Sequence, residues 1–163
     1  KWSPALNPVN YIIPVIFSLM VAVFLQLMPS TGSWLLWKPN FLLLMVIAWI
    51  LYIPNQYGIG FASVVGLFAD ALFRTPLGHY VLVFALCGAI AYLLSRWLTY
   101  FSMFHRAFLV FVLVIFGELV GAALFSIWDI PKNLSHLHIL GFTSAITWVL
   151  VDRFVARVQL HHR

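Results

Sequence analysis

The chain has 163 residues, of which 64% are hydrophobic and only 8% are charged, and its formal net charge is +5. Soluble globular domains carry about 25% charged residues, so this composition excludes an ordinary soluble fold. A helix that crosses a bilayer needs about 20 apolar residues, so the length allows roughly six or seven spans. The sequence therefore predicts a single all-α polytopic membrane domain over residues 1–163.

Uncharged windows, separated by Pro, Gly and charged residues, predict about six transmembrane helices. In chain order the predicted spans are about 11–28, 35–53, 58–73, 79–95, 107–128 and 137–151. The second span is short if it is counted only from Asn40, and it needs Lys38 to snorkel to the interface. The first apolar stretch has no small-residue cleavage site, so we interpret it as a retained span.

The Lys and Arg residues predict the orientation of these spans, because both are enriched in cytoplasmic loops. Six spans place the larger basic set on the side of the termini: Lys1, Arg96, Arg106, Arg153, Arg157 and Arg163. The smaller set lies on the other side: Lys38, Arg74 and Lys132. Both termini are therefore predicted to be cytoplasmic. Because the charges are dispersed at helix ends, we expect membrane lipid as their partner and no nucleic acid.

The predicted third helix carries a stripe of small residues that ends in a carboxylate. Gly60, Ser63, Gly66 and Asp70 follow one another at intervals of three, three and four residues, so they share one helix face. Small residues allow a neighbouring helix to approach closely in lipid. Three roles stay open for Asp70: an ion pair with Arg74, a buried contact to another helix or partner subunit, and proton or ion coupling.

A second carboxylate, Glu118, lies near the middle of the predicted fifth helix. Beside it, Gly117 and Gly121 form a G-x-x-x-G step, a spacing that is compatible with close helix contact. A carboxylate at that depth should face the bundle interior and accept hydrogen bonds. Candidate donors on the sixth span are Thr143, Ser144 and Thr147. A structural hydrogen bond and a partner or transport role both stay open.

The sequence does not predict an enzyme. A membrane protease needs Ser–His, two-Asp or His-Glu-x-x-His groups at one depth, whereas Asp70 and Glu118 are predicted at different depths. His136 and His138 point in different directions on a helix, and no Cys or acidic pair completes a metal shell. Cys87 is expected to be a packing residue. We therefore expect no catalytic residue, no metal site and no cofactor.

A series of short motifs runs through the first part of the chain. The motifs are Lys38-Pro39-Asn40 before an apolar helix, Leu51-Tyr-Ile-Pro54 at its end, Gly60-Phe61, Gly66-x-x-x-Asp70, Pro76-Leu77-Gly78 and Ala91-Tyr92-Leu93. Between about Trp37 and Leu94 this series resembles the rod shape-determining protein MreD family, and the remainder agrees in hydropathy and length. There are two departures. Pro54-Asn55-Gln56 is uncharged where the family often has a basic residue, and Glu118 stands where Asp is more typical.

The resemblance implies a non-enzymatic scaffold or regulatory subunit of the bacterial cell-wall elongation complex in the inner membrane. Such a subunit would bind MreC and, through it, connect to RodA, a class B penicillin-binding transpeptidase and MreB; a homodimer is a further option. The implied fold resembles the six-helix substrate-binding subunit of energy-coupling-factor transporters.

That implied fold leaves an alternative function, the substrate-binding subunit of a vitamin or small-molecule transporter. The polar and aromatic groups that would form its pocket are Trp34, Trp37, Arg74, His79, Trp128, Asp129 and Asn133. For the scaffold function, the candidates for partner contact or local structure lie on three parts of the chain. They are Lys38, Pro39, Asn40, Gly60, Ser63, Gly66, Asp70, Arg74, Gly78, Gly117, Glu118 and Gly121.

Overall fold

The computed structural model describes residues 9–29, 31–33, 38, 40–97, 100–130 and 134–161. In these parts of the chain the regular elements are six α-helices, and no strand occurs there. The helices are α1 (Val9–Leu27), α2 (Phe41–Tyr52), α3 (Ile59–Phe73), α4 (His79–Ser95), α5 (Met103–Ile127) and α6 (Leu137–His161). The prediction of an all-α fold is confirmed.

Two helix boundaries differ clearly from the predicted spans. Helix α2 begins only at Phe41, because the Asn40 side chain accepts a hydrogen bond from the Leu43 backbone N–H and so caps the helix. Of the residues before it, 34–37 and Pro39 lie outside the described residues. Helix α6 continues past the predicted end at residue 151, since charged residues such as Asp152 and Arg153 end an apolar window without ending a helix.

Helix α2 is the core of the bundle. Nine of its twelve residues are buried, and a helix that is apolar on every side is typical of a protein interior. Helices α1, α4, α5 and α6 all pack against it. The Trp49 indole N–H also donates to Ser18 Oγ at 2.9 Å, which ties α2 to α1 with a buried hydrogen bond.

The other helices pack around this core with unequal contact. Helix α3 packs mainly on α4, and α1 packs mainly on α2, so both leave a broad outward face. Those outward faces are apolar: Ile13 is 78% exposed and Phe68 is 66% exposed. Large exposed apolar surfaces of this kind mark contact with lipid or with another protein.

By length and composition, two helices of the described chain could cross a membrane unaided: α5 over Met103–Ile127 and α6 over Leu137–Val158. The apolar helices Tyr11–Leu27, Phe41–Tyr52, Ile59–Phe73 and His79–Ser95 are shorter. At 1.5 Å per residue, the 12 residues of α2 extend only about 18 Å, well short of a hydrocarbon core of about 30 Å.

Side-chain contacts define two ends of the bundle. At one end, which we call the Tyr52 end, Tyr52 of α2 meets Arg106 at the start of α5 and Asp152 near the end of α6. At the other, which we call the Asp70 end, the connection between α3 and α4 lies beside the last turns of α5, where Phe125 stacks on His79.

Candidate functional site

Asp70 lies at the C-terminal end of α3 and is only 1% exposed. Its Oδ1 accepts hydrogen bonds from Thr75 Oγ1 at 2.7 Å and from the Tyr80 backbone N–H at 2.9 Å. Its Oδ2 accepts from the Gly78 backbone N–H at 3.0 Å. Both carboxylate oxygens are therefore committed to the connection after α3 and to the first turn of α4.

The local sequence explains why a carboxylate is needed there. Helix α3 ends because Arg74 takes a left-handed conformation with φ 53°, and α4 begins after Gly78, whose φ is 101°. Glycine tolerates that φ, but it has no side chain with which to cap α4. Asp70 supplies the acceptor from the preceding helix, and a negative charge is also favourable at a helix N-terminus.

The ion pair between Asp70 and Arg74, one of the three roles left open for Asp70, does not form in the structure. Arg74 is exposed, and the ion pair found in the described part of the chain joins Arg106 and Asp152 instead. The helix ends in a left-handed turn at Arg74, and the next residue, Thr75, donates its hydroxyl to Asp70. This hydroxyl is a donor at Asp70 in place of the Arg74 guanidinium. Of the three roles left open for Asp70, the contact in the structure is a buried one to the next helix.

The stripe of small residues on α3 divides between two surfaces. Gly66 faces α4 so closely that an added Cβ would lie 2.6 Å from the Tyr80 carbonyl oxygen. Gly60 is exposed, and a Cβ there would meet nothing within 4 Å. Ser63 donates its hydroxyl to the Ile59 carbonyl of its own helix at 2.8 Å. Gly66 and Asp70 together therefore hold the first turn of α4, whereas Gly60 and Ser63 do not.

Lys38 and Asn40 hydrogen-bond at the end of α1 and at the start of α2. The Lys38 ammonium donates to the Gln26 and Met28 carbonyl oxygens, at 2.5 and 2.8 Å, and so satisfies acceptors left open at the end of α1. Gln26 Oε1 in turn accepts from the Phe41 backbone N–H at 3.2 Å. With Asn40 as the cap of α2, this part of the motif acts as a helix-capping device.

The G-x-x-x-G step on α5 packs inside the chain. Gly117 and Gly121 are both buried. A Cβ on Gly117 would lie 3.1 Å from Cys87 Sγ on α4 and 3.4 Å from Leu43 Cδ2 on α2. Cys87 is itself buried at this contact. The close approach that Gly117 permits is therefore used between helices of one molecule.

Glu118 is half-buried on α5. The hydroxyls predicted to hydrogen-bond it do not do so. Thr143 donates to the Ile139 and Leu140 carbonyls, and Thr147 donates to the Thr143 carbonyl. Ser144 Oγ is buried and makes no hydrogen bond within the described residues. A threonine hydroxyl on a helix commonly donates to a backbone carbonyl of the preceding turn, and Thr143 and Thr147 do so here.

His79 was predicted to face a ligand pocket, but it is 2% exposed and is stacked on Phe125 with ring centroids 4.0 Å apart. Of the other residues predicted for that pocket, Arg74, Trp128 and Asp129 are exposed. Trp34, Trp37 and Asn133 lie outside the described residues. Among described residues, no group of three or more His, Cys, Asp or Glu could hold a metal ion.

The polar cluster at the Tyr52 end was missed by the sequence analysis. The Tyr52 hydroxyl donates to Asp152 Oδ1, and Arg106 donates from Nη1 to the Tyr52 hydroxyl at 3.1 Å. Arg106 Nη1 also lies 3.7 Å from Asp152 Oδ1, and Asp152 is 5% exposed. The available signal was that Asp152 is one of only four acidic residues, in a basic terminal segment.

The chain is similar in sequence to known proteins over most of its length. The chain matches the family of the rod shape-determining protein MreD over residues 8–158. The rod shape-determining protein MreD of Haemophilus influenzae is 29% identical over 153 residues, which cover 87% of this chain and 90% of that protein. No solved structure matches the chain. A match over nearly the whole sequence means that this chain belongs to the MreD family of rod shape-determining bacterial membrane proteins.

Proposed function

We propose that this chain is a non-enzymatic, multi-pass scaffold subunit of the cell-wall elongation complex in the bacterial inner membrane. Its direct partner is MreC, and through MreC it connects to RodA, a class B penicillin-binding transpeptidase and MreB. Family membership supports the rod-shape role. The proposal extends that role to a scaffold because of how the molecule distributes its polar groups.

One observation carries the scaffold function: the described polar clusters serve the chain's own fold, and the outward faces are apolar. Asp70, Lys38 and Asp152 each bond to a neighbouring helix or helix terminus. Meanwhile α1 and α3, which each pack mainly on one neighbour, present exposed apolar side chains outward. Helix association in lipid depends on packing between such faces.

The proposed topology has six spans with both termini in the cytoplasm. It is supported by the grouping of Arg106 and Asp152 with Tyr52 at one end, and of Lys38 with the end of α1 at the other. The likeness to the substrate-binding subunit of energy-coupling-factor transporters remains part of this proposal. No contact described above favours the transporter function itself, since His79 is buried against Phe125.

The test is a gentle purification of the C-terminally tagged protein from native membranes, with mass spectrometry of the proteins that co-purify. We expect MreC at near-stoichiometric recovery, with the elongation polymerase and transpeptidase in smaller amounts. The control is an unrelated tagged multi-pass protein of similar size from the same membranes. Recovery of an ATPase pair and a transporter coupling subunit in place of MreC would overturn the scaffold function.

A further inference from the structure

An apolar groove runs down the surface between α4 and α5 at the Tyr52 end. Its volume is about 380 Å³, and its walls include Ile90 and Leu94 from α4 and Phe108, Val112 and Phe116 from α5. These walls are hydrocarbon and aromatic, so the part of any ligand that fills the groove must be apolar.

The dimensions of the groove match one leaflet of a bilayer. From His105 to Phe116 the groove follows 11 residues of α5, or about 17 Å at 1.5 Å per residue. One leaflet contributes about half of a hydrocarbon core of about 30 Å, that is about 15 Å. Trp97 and Tyr100, 60% and 81% exposed, lie between α4 and α5 in sequence, and such rings favour the headgroup level. The groove therefore descends from the interface to about mid-membrane.

The mouth of the groove carries groups that attract an anion. Arg96 lies two residues beyond Leu94, is exposed, and makes no ion pair within the described chain. His105 lines the groove, and its Nδ1 is held 2.6 Å from Ser102 Oγ. When the Ser102 hydroxyl donates to Nδ1, the ring proton resides on Nε2, which is then available as a donor. A guanidinium and an imidazole N–H at headgroup level complement a phosphate.

We propose that this groove binds one anionic phospholipid, with an acyl chain along α5 and the headgroup phosphate at Arg96 and His105. The site goes beyond the scaffold function, because it requires only that the chain resides in a membrane. Basic clefts between helices bind anionic lipid headgroups by this combination of charge and hydrocarbon contact.

The experiment is native mass spectrometry of the purified full chain, titrated with dioleoyl phosphatidylglycerol or with the zwitterionic dioleoyl phosphatidylcholine. Both lipids have the same acyl chains, so a difference in affinity reports the headgroup. We expect the first bound molecule of phosphatidylglycerol to have a higher affinity than the first bound molecule of phosphatidylcholine. The substitution Arg96→Ala should weaken phosphatidylglycerol roughly fivefold, since one basic residue at a membrane surface contributes about that factor. It should weaken phosphatidylcholine less, because the choline cation offsets the charge of the phosphate in that headgroup.

A second experiment tests whether an acyl chain occupies the groove, by filling the groove with a larger side chain. Val112 lines it and is 48% exposed, so Val112→Trp adds a ring without disturbing the core. A second apolar groove of about 280 Å³, between α1, α2 and α6, provides the control, because Leu150→Trp fills it from a side chain that is 67% exposed. We expect Val112→Trp to abolish the first tight phosphatidylglycerol and Leu150→Trp to leave it unchanged, with both variants unfolding at the wild-type midpoint.

Three outcomes would overturn the lipid site. The first is equal affinity for the two lipids, and the second is an equal loss of binding in the two Trp variants. The third is loss of a co-purifying protein from Val112→Trp while phosphatidylglycerol binding stays unchanged, which would make the groove a protein interface. If Val112→Trp lowers the unfolding midpoint, Val112→Phe fills the groove with a smaller ring and decides the same question.

Discussion

At the residue scale, the Asp70 carboxylate caps a helix to which it does not belong. Helix α4 starts after a glycine, which has no side chain to accept hydrogen bonds from the backbone N–H groups of the first turn. The Asp70 carboxylate accepts hydrogen bonds from the Gly78 and Tyr80 backbone N–H groups and from the Thr75 hydroxyl. A buried carboxylate with three donors is a structural residue whose charge is compensated by the backbone.

We expect Asp70→Asn to lower the free energy of unfolding by about 1–3 kcal/mol. The amide keeps the shape, but its NH₂ group would face a backbone N–H where the carboxylate accepted a hydrogen bond. The measurement is the denaturant midpoint of the protein in detergent. Arg74→Ala is the control and should change stability by less than about 0.5 kcal/mol. If Arg74→Ala costs as much as Asp70→Asn, the ion pair predicted from helical spacing operates after all.

At the element scale, the contact between α3 and α4 depends on one position of the small-residue stripe. The Tyr80 backbone is held twice: its N–H donates to Asp70, and its carbonyl lies against Gly66. Ala62 contributes a second close approach, since a Cβ on Gly88 of α4 would lie 2.7 Å from the Ala62 Cβ. The two helices therefore pack as one hairpin.

The two helical glycines of α3 are a matched pair for testing this packing. We expect Gly66→Ala to destabilise by about 1–3 kcal/mol, because the new Cβ meets backbone atoms that cannot move aside cheaply. Gly60→Ala should be neutral or stabilise by up to about 1 kcal/mol, since it adds helix propensity in open space. The measurement is the thermal unfolding midpoint of the two variants. Equal midpoints would show that α3 and α4 can move apart at Gly66 without loss of stability.

Gly60 lies on an exposed part of α3 with open space around it, whereas Gly66 packs against α4. We propose that the exposed side of α3 around Gly60 and Ser63 contributes to contact with MreC or with a second copy of the chain. Gly60→Leu should then reduce recovery of the partner in the purification while the unfolding midpoint stays at the wild-type value. Normal recovery with Gly60→Leu would remove this face from the proposed interface.

At the scale of the whole molecule, the Tyr52 end joins three helices that are distant in sequence. Tyr52, Arg106 and Asp152 come from α2, α5 and α6, and the Arg106 guanidinium also lies 5.9 Å from the centre of the Tyr52 ring. A buried carboxylate depends on such donors, because removing one partner leaves a desolvated charge. This cluster sets how the last two helices sit on the core helix.

Tyr52→Phe should therefore lower the free energy of unfolding by about 1–3 kcal/mol, because Asp152 loses its hydroxyl donor. Tyr57→Phe is the matched control. Burial raises the pKa of the Tyr57 phenol, which keeps it neutral, and its ring would still contact Phe61 at 4.8 Å between centroids.

The measurement is again the denaturant midpoint, extended to a double-mutant cycle of Tyr52→Phe with Asp152→Asn. A coupling energy of about 0.5–3 kcal/mol is expected for groups in direct contact. Additive losses from the two substitutions would mean that the hydroxyl and the carboxylate stabilise the protein independently.

The sequence by itself determined the class of the protein, the presence of six apolar helices and the family. These follow from composition, from the spacing of charges and from short motifs, all of which are local properties of the chain. In the structure, Lys38 and Asn40 of the motifs cap two helix ends, and Gly66 and Asp70 contact the start of one helix.

Only the tertiary structure decided which groups are partners. Helical spacing left Arg74 and a neighbouring helix both open as partners of Asp70, and in the structure backbone N–H groups at the start of the next helix donate to the carboxylate. The bond between Tyr52 and Asp152 joins residues far apart in sequence, and no local periodicity encodes it. Hydropathy determines that a segment is helical and apolar, whereas the partner of a polar side chain depends on where the other helices bring their ends.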